Sequence, residues 1–304
     1  MKIFLLGKNG QVGLELQRAL APLGEVIACG RNESDLEDLS GLSHLVRSVQ
    51  PDVIVNAAAY TAVDRAESEP ARAMRVNAEA VEVLAAETKR SEGLLVHYST
   101  DYVFDGRKDG SYVETDEPSP LNVYGASKLA GERAISASGC RHLIFRTSWV
   151  YAARGANFIH TMLRLGRERD AIKVVADQTG APTSAELIAD VTAKALTGLD
   201  GRAPEAAGAA TAVPLSGLYH LAAAGATSWH GYAQSVVREA LRLGIELRVT
   251  PDRITQISSA EYRTPAVRPR NSRLDTGKLR SALGIAMPPW EQHVKRLLAD
   301  RGNQ

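Results

Sequence analysis

Cysteine is all but missing from this chain: in 304 residues Cys29 and Cys140 stand far apart, outside any CxxC motif or Cys/His spacing. A disulfide framework or a zinc site is therefore not expected, and both thiols read as small buried side chains. Long hydrophobic runs are missing too. No segment approaches the ~18 apolar residues of a membrane span. The opening MKIFLLG reaches its glycine too soon to form a signal peptide. A cytoplasmic protein without membrane association is the expectation. The third absence is an excess of charge of one sign: 36 Lys+Arg nearly balance 35 Asp+Glu, and no long like-charge run occurs. A nucleic-acid partner, which needs a basic footprint, is not implied. Internal repeats and low-complexity tracts of functional size are also lacking.

What is present is a rhythm. The chain is 44% hydrophobic, and the apolar runs KIFLLG, EVIACG, DVIVNAA, LLVHYST and HLIFRTS alternate with helical stretches such as ARAMRVNAEAVEVLAAETKR. Alternating βαβ units predict an α/β fold, a Rossmann-like doubly wound parallel sheet over residues 1–150. Pro70 is placed to open the long helix at its first turn, where a missing N–H costs nothing, and the helix is expected to end near Gly93. After residue 150 the rhythm becomes irregular, which suits a smaller C-terminal substrate-binding lobe over 151–304, with a segment near 174–198 returning to the first domain. Residues 198–217 are rich in Ala, Gly and Pro and read as a flexible surface loop.

Two local patterns carry chemistry. The first strand runs into Gly7, Gly10 and Gly13, with Gln11 and Val12 at the turn and the helical pattern LELQRAL behind it. Strand, glycine turn and helix together let the backbone approach a pyrophosphate at a helix amino terminus. The second pattern is Tyr124 and Lys128 in NVYGASKLAGE, downstream of a strand that delivers Ser99, Thr100 and Asp101 to the edge of the sheet. A spacing of four puts both side chains on one helical face, where an ammonium can lower the pKa of a phenol so that it acts as a general acid. An exposed helical pair reads the same way in sequence. Histidine is the rival acid. Of His97, His142, His220 and His230, only His97 lies near the site; strand alternation gives it the facing of Ser99, and it reads as a satisfied core residue.

The segments GKNGQVG, VNAAAYTAVDRAE, HYSTDYVFDG, SPLNVYGASKLAGE, FRTSWVY, DQTGAPT and RPRNSRLDTGKL resemble the dTDP-4-dehydrorhamnose reductases of the extended short-chain dehydrogenase/reductase class. The resemblance covers most of the chain and is weakest in the Ala/Gly-rich insertion. It implies reduction of the 4-keto group of a nucleotide sugar, dTDP-4-dehydro-L-rhamnose, to dTDP-L-rhamnose by a nicotinamide cofactor. That reaction is the last step of dTDP-L-rhamnose biosynthesis for cell-envelope polysaccharide such as O antigen. It also implies roles: Tyr124 as proton donor, Lys128 on the nicotinamide ribose, Thr100 on the sugar oxygen, and Asp101 and Trp149 as substrate contacts. By itself Asp101 fits a cap of the turn after its strand equally well, and Trp149 fits a core aromatic.

Cofactor choice turns on the end of the second strand, where relatives often carry an Asp and this chain has Gly30 and Arg31. The departure points to NADPH, with Arg31 on the 2′-phosphate, and NADH is the alternative; a solvated loop arginine fits Arg31 equally well. Asp35 and Leu36 match the pair flanking the adenine, and Ala59, Tyr60 and Thr61 the stretch along the far side of the dinucleotide. Glu15, Glu186 and Glu291 match positions that in some relatives gather a magnesium ion at a homodimer interface; taken alone each reads as a solvated helical glutamate. Two other readings remain: an epimerase or dehydratase of the same class, and a non-catalytic NADP-binding regulatory subunit.

Overall fold

The structure is a computed structural model in which residues 1–197 and 215–302 are described. The insertion at 198–217 falls almost wholly outside them, at residues 198–214. Five apolar runs form the strands expected of them: β1 (Lys2–Leu6), β2 (Glu25–Cys29), β3 (Val53–Asn56), β4 (Leu94–Thr100) and β5 (Arg141–Thr147). A short sixth strand, β6 (Gly217–His220), pairs with β5. All pairings in this sheet are parallel, in the order β6-β5-β4-β3-β1-β2.

Both faces of the sheet are covered, which is why its strands read as continuous apolar runs rather than as alternation. Ile3 and Leu5 point to one face with Val55, Val96 and Phe145, under Leu16 and Leu20 of α1 (Gln11–Leu20). Phe4 and Leu6 point to the other with Ile54, Leu95 and Ile144, under Leu42 and Val46 of α2 (Leu39–Val49) and Val81 and Leu84 of α3 (Ala80–Arg90). Each such fully buried side chain contributes about 1.5–3 kcal/mol relative to exposure. Pro70 does open a helix, Pro70–Met74, which reaches α3 through a π-helical turn at Arg75–Glu79.

The helix α4 (Val123–Ser138) starts where the Asn122 side chain accepts the Gly125 N–H at 2.8 Å, and stops at Gly139, whose φ is +66°. Gly125 sets its height over the sheet: a Cβ there would lie 2.1 Å from the Tyr102 carbonyl oxygen, so the first turn of α4 rides directly on the turn that follows β4.

Beyond residue 150 the elements are shorter. Helices α5 (Phe158–Glu168) and α7 (Trp229–Arg242) are accompanied by two-stranded ladders, Ile172–Val175 with Ile254–Ile257 and Thr179–Gly180 with Thr227–Ser228. Between them α6 (Ala185–Thr197) packs against α1, tied by Arg18 to Asp190 at 2.7 Å. The chain order reverses beside β1, which has β2 on one side and β3 on the other; ligands of open α/β sheets bind in the crevice at the carboxyl ends of strands at such a point. Among the described residues no helix is long and apolar enough to cross a membrane.

Candidate active site

A cleft of about 800 Å³ opens at those carboxyl ends, lined by residues from the ends of β1 to β5 together with Tyr124 and Lys128 of α4 and Trp229 of α7. At the end of β1 the chain turns at Gly7, whose φ is +88° and where a Cβ would fall 2.7 Å from the Ala58 amide nitrogen. Gly10 caps α1 without any side-chain hydrogen bond, which leaves the first-turn N–H groups to a ligand. Gln11 and Val12 line the cleft, but Gly13 does not. Gly13 is a packing glycine: a Cβ on it would lie 2.0 Å from the Gly7 carbonyl oxygen, so it brings α1 close under the turn.

Gly30, Arg31, Asp35 and Leu36 line the end of the cleft beside β2. The Arg31 guanidinium is held by Glu37 and, at 3.7 Å, by Asp35. Glu37 is shared with Arg72, which donates to it at 2.8 Å and also lines the cleft. Sequence reasoning missed Arg72, and missed Ser34, whose buried hydroxyl lines the same end without a hydrogen-bond partner.

Ala59, Tyr60 and Thr61 form the opposite wall after β3. Their backbone is held by Asn77 from the π-helical turn, which accepts the Tyr60 N–H at 2.9 Å and donates to the Tyr60 carbonyl at 3.0 Å. The same amide donates to the Ser127 hydroxyl of α4 at 3.0 Å, and that hydroxyl donates to the Tyr124 carbonyl at 2.8 Å.

At the centre, β4 delivers Thr100 and Asp101 beneath Tyr124. The Thr100 hydroxyl donates to Asp101 at 3.1 Å and accepts the Tyr102 N–H at 3.1 Å, and it lines the cleft together with Tyr124. Burial pushes the Tyr124 phenol up to about 12, an effect that the Thr100 hydroxyl partly offsets. Burial thus favours the protonated phenol, the state a proton donor requires. Burial also raises the Asp101 carboxyl to about 7, opposed by its bonds to Ser272 and Thr100, and its second oxygen has no partner. The buried hydroxyls of Ser99 and Thr147 line the cleft equally unpartnered. Orphaned polar atoms of this kind mark the surface a polar ligand would satisfy.

Lys128 is buried and reaches His97 rather than solvent, with Nζ 3.0 Å from Nε2. His97 is thus the buried, satisfied histidine expected, yet it touches the catalytic candidate; the facing it shares with Ser99 was the one signal in sequence. His142, His220 and His230 do not line the cleft.

Trp149 walls the far end. Its φ of +48° is unusual for a bulky residue and costs about 1–3 kcal/mol. The ring stacks on Trp229 with centroids 3.7 Å apart and lies against Gly180, where a Cβ would come within 2.6 Å of the indole. Trp229 had no signal in the sequence beyond its residue type.

Each of the three glutamates has its own surroundings within the chain. Glu15 pairs with Arg18, Glu186 with Arg296 and His293, and Glu291 stands at the start of the helix Trp290–Gly302. Among the described residues no group of three or more His, Cys, Asp or Glu side chains could hold a metal ion.

The chain matches the family model described as the RmlD substrate binding domain over residues 1–302. It is 52% identical over 300 residues to the dTDP-4-dehydrorhamnose reductase of Burkholderia thailandensis, covering 99% of both chains. The chain belongs to the dTDP-4-dehydrorhamnose reductase family. The reductase of Escherichia coli K12 is 48% identical over 302 residues, covering 98% of this chain and 97% of that one. Among solved structures, the dTDP-4-dehydrorhamnose reductase of Bacillus anthracis in complex with NADP aligns with a TM-score of 0.85 and 33% identity, over 98% of this chain and 99% of that one.

Proposed function

We propose that this protein is an NADPH-dependent reductase that converts the 4-keto group of dTDP-4-dehydro-L-rhamnose to a hydroxyl, giving dTDP-L-rhamnose, in the cytoplasm. The observation that carries the reading is the shared cleft: Tyr124 and Thr100 line the same crevice as the uncapped helix behind the Gly7 turn.

The residues present fit a dinucleotide. The open N–H groups behind Gly10, with Gln11 and Val12, would hold its pyrophosphate; Arg31, Asp35 and Leu36 its adenosine end; and Ala59, Tyr60 and Thr61 its far side. When bound, the reduced nicotinamide supplies a hydride to carbon 4 of the sugar. Tyr124 then gives its proton to the developing alkoxide, a far stronger base than a phenolate, so a phenol near 12 is a competent acid. Thr100 donates to the same oxygen and keeps the charge from building up unshielded. Asp101 and Trp149 would contact the sugar from two sides, the carboxyl by accepting or donating hydrogen bonds and the indole by covering an apolar face. Lys128 would hold the nicotinamide ribose. The first 150 residues would bind the cofactor and most of the remainder the sugar nucleotide, with α6 and β6 returning to the first domain.

The test is a cofactor-oxidation assay with dTDP- and UDP-linked 4-keto sugars and with NADPH or NADH. One NADPH consumed per dTDP-4-dehydro-L-rhamnose supports the reading. Turnover with tightly held oxidised cofactor and no net consumption would assign an epimerase instead.

A further inference from the structure

A chain of three side chains runs beneath the site from β3 through β4 to α4. Asn56, His97 and Lys128 are all buried, at 1%, 0% and 2% exposure. The Asn56 side-chain oxygen accepts the Ala58 N–H at 3.1 Å. That bond orients the amide, so the group Asn56 turns to His97 Nδ1, 3.3 Å away, is its NH₂. Nδ1 is therefore an acceptor and carries no proton. In a neutral ring the single proton then sits on Nε2, 3.0 Å from Lys128 Nζ. An ammonium has three donors and no acceptor, so it cannot receive this hydrogen bond; an amine lone pair can.

We infer that His97 is a positioning residue for the reaction, which donates Nε2–H to the Lys128 amine so that Lys128 rests uncharged and gains its proton, from solvent, only on breaking this bond. The inference rests on the reading of Tyr124 and Lys128 as a proton donor and its partner. The surroundings agree with it. Burial lowers Lys128 to about 8, opposed by Glu132 one turn along α4, and Glu132 is itself held by Arg146 of β5 in a buried bidentate pair. Tyr124 on α4 and Asp101 after β4 are ionisable groups that line the same cleft as Lys128. Burial keeps His97 neutral by holding it well below its usual range. A donor bond to the amine lowers Lys128 further.

Nitrogen-15 spectra of the histidine side chains in the cofactor-free wild type at pH 8.5 read the tautomer directly. Protonation of His97 at Nε2 is expected, and an Nδ1–H tautomer would overturn the inference. The second measurement is the pH profile of kcat/KM. His97→Leu removes a donor to the amine, so Lys128 should hold its proton more firmly and the alkaline limb should move up by about half to one pH unit, the scale of one buried hydrogen bond. His97→Gln, which keeps an N–H donor at similar reach, should leave the limb near its wild-type position. A limb that moves down in His97→Leu, or stays still, sinks the proposal. The spectrum needs no turnover, so it decides the His97 bond even if Tyr124→Phe kept full activity and the parent reading failed, or if His97→Leu did not fold.

Discussion

Asn77 and Tyr60 are closed into a ring by two hydrogen bonds, at 2.9 Å from the Tyr60 N–H and at 3.0 Å to its carbonyl, so that one buried amide holds the wall of the cleft. Because the amide also reaches Ser127 on α4, it links that wall to the helix bearing Tyr124. Asn77→Ala would leave a backbone N–H, a backbone carbonyl and a hydroxyl without this partner. We expect a loss of about 2–4 kcal/mol in urea unfolding, with weaker NADPH binding in the variant that still folds. An unchanged unfolding midpoint would show that water replaces the amide at no cost.

Tyr124→Phe removes only the phenolic oxygen. Turnover should fall by at least ~100-fold, the usual scale for a positioned general acid, while the dissociation constant for NADPH stays nearly constant. Near-wild-type turnover would take Tyr124 out of the mechanism.

Arg31 is more than half exposed and shares its charge with Glu37 and Asp35, so the 2′-phosphate of NADPH would have to displace or join those carboxylates. Arg31→Ala should therefore raise KM for NADPH several-fold and leave KM for NADH almost unmoved. Equal changes for both cofactors would make Arg31 a bystander.

The Asp101 carboxyl, raised to about 7 by burial, gives a pH dependence whose sign is set. An unfolded aspartate titrates near ~3.9, so between about pH 4 and about pH 7 the folded protein binds a proton that the unfolded chain does not. The stability contributed by the neutral carboxyl is complete below this window and is lost as pH rises through it. Relative to wild type, Asp101→Asn should become progressively more stable from pH 4.5 to pH 7.5 in denaturant titrations. A difference independent of pH would place the carboxyl's titration outside that range.

The strands KIFLLG, DVIVNAA, LLVHYST and HLIFRTS were legible because each is buried on both faces and therefore largely apolar, and EVIACG, half-buried at the sheet edge, through its short apolar run before a glycine. The sixth, Gly217–His220, was not. Its four residues include a glycine and a histidine, and it belongs to the sheet only because it lies beside β5. The glycine turn was legible through its spacing, and Tyr124 and Lys128 through theirs. Arg72 and Trp229, which line the cleft, and Asn77, which holds its wall, had no such signal, since each belongs to a helical segment whose own sequence does not point there.

The amino-acid sequence by itself determined the parallel α/β plan, the glycine turn behind the first strand and the shared helical face of Tyr124 and Lys128. All three are encoded by periodicity and turn chemistry over a few neighbouring residues. Tertiary structure alone decided which distant side chains meet: it brought Asn56 and His97 under Lys128, engaged Arg31 with Glu37 and stacked Trp149 on Trp229. Those meetings depend on how closely helices pack onto the sheet, a distance of a few ångströms fixed by contacts such as Gly125 on the Tyr102 carbonyl, which no local pattern specifies.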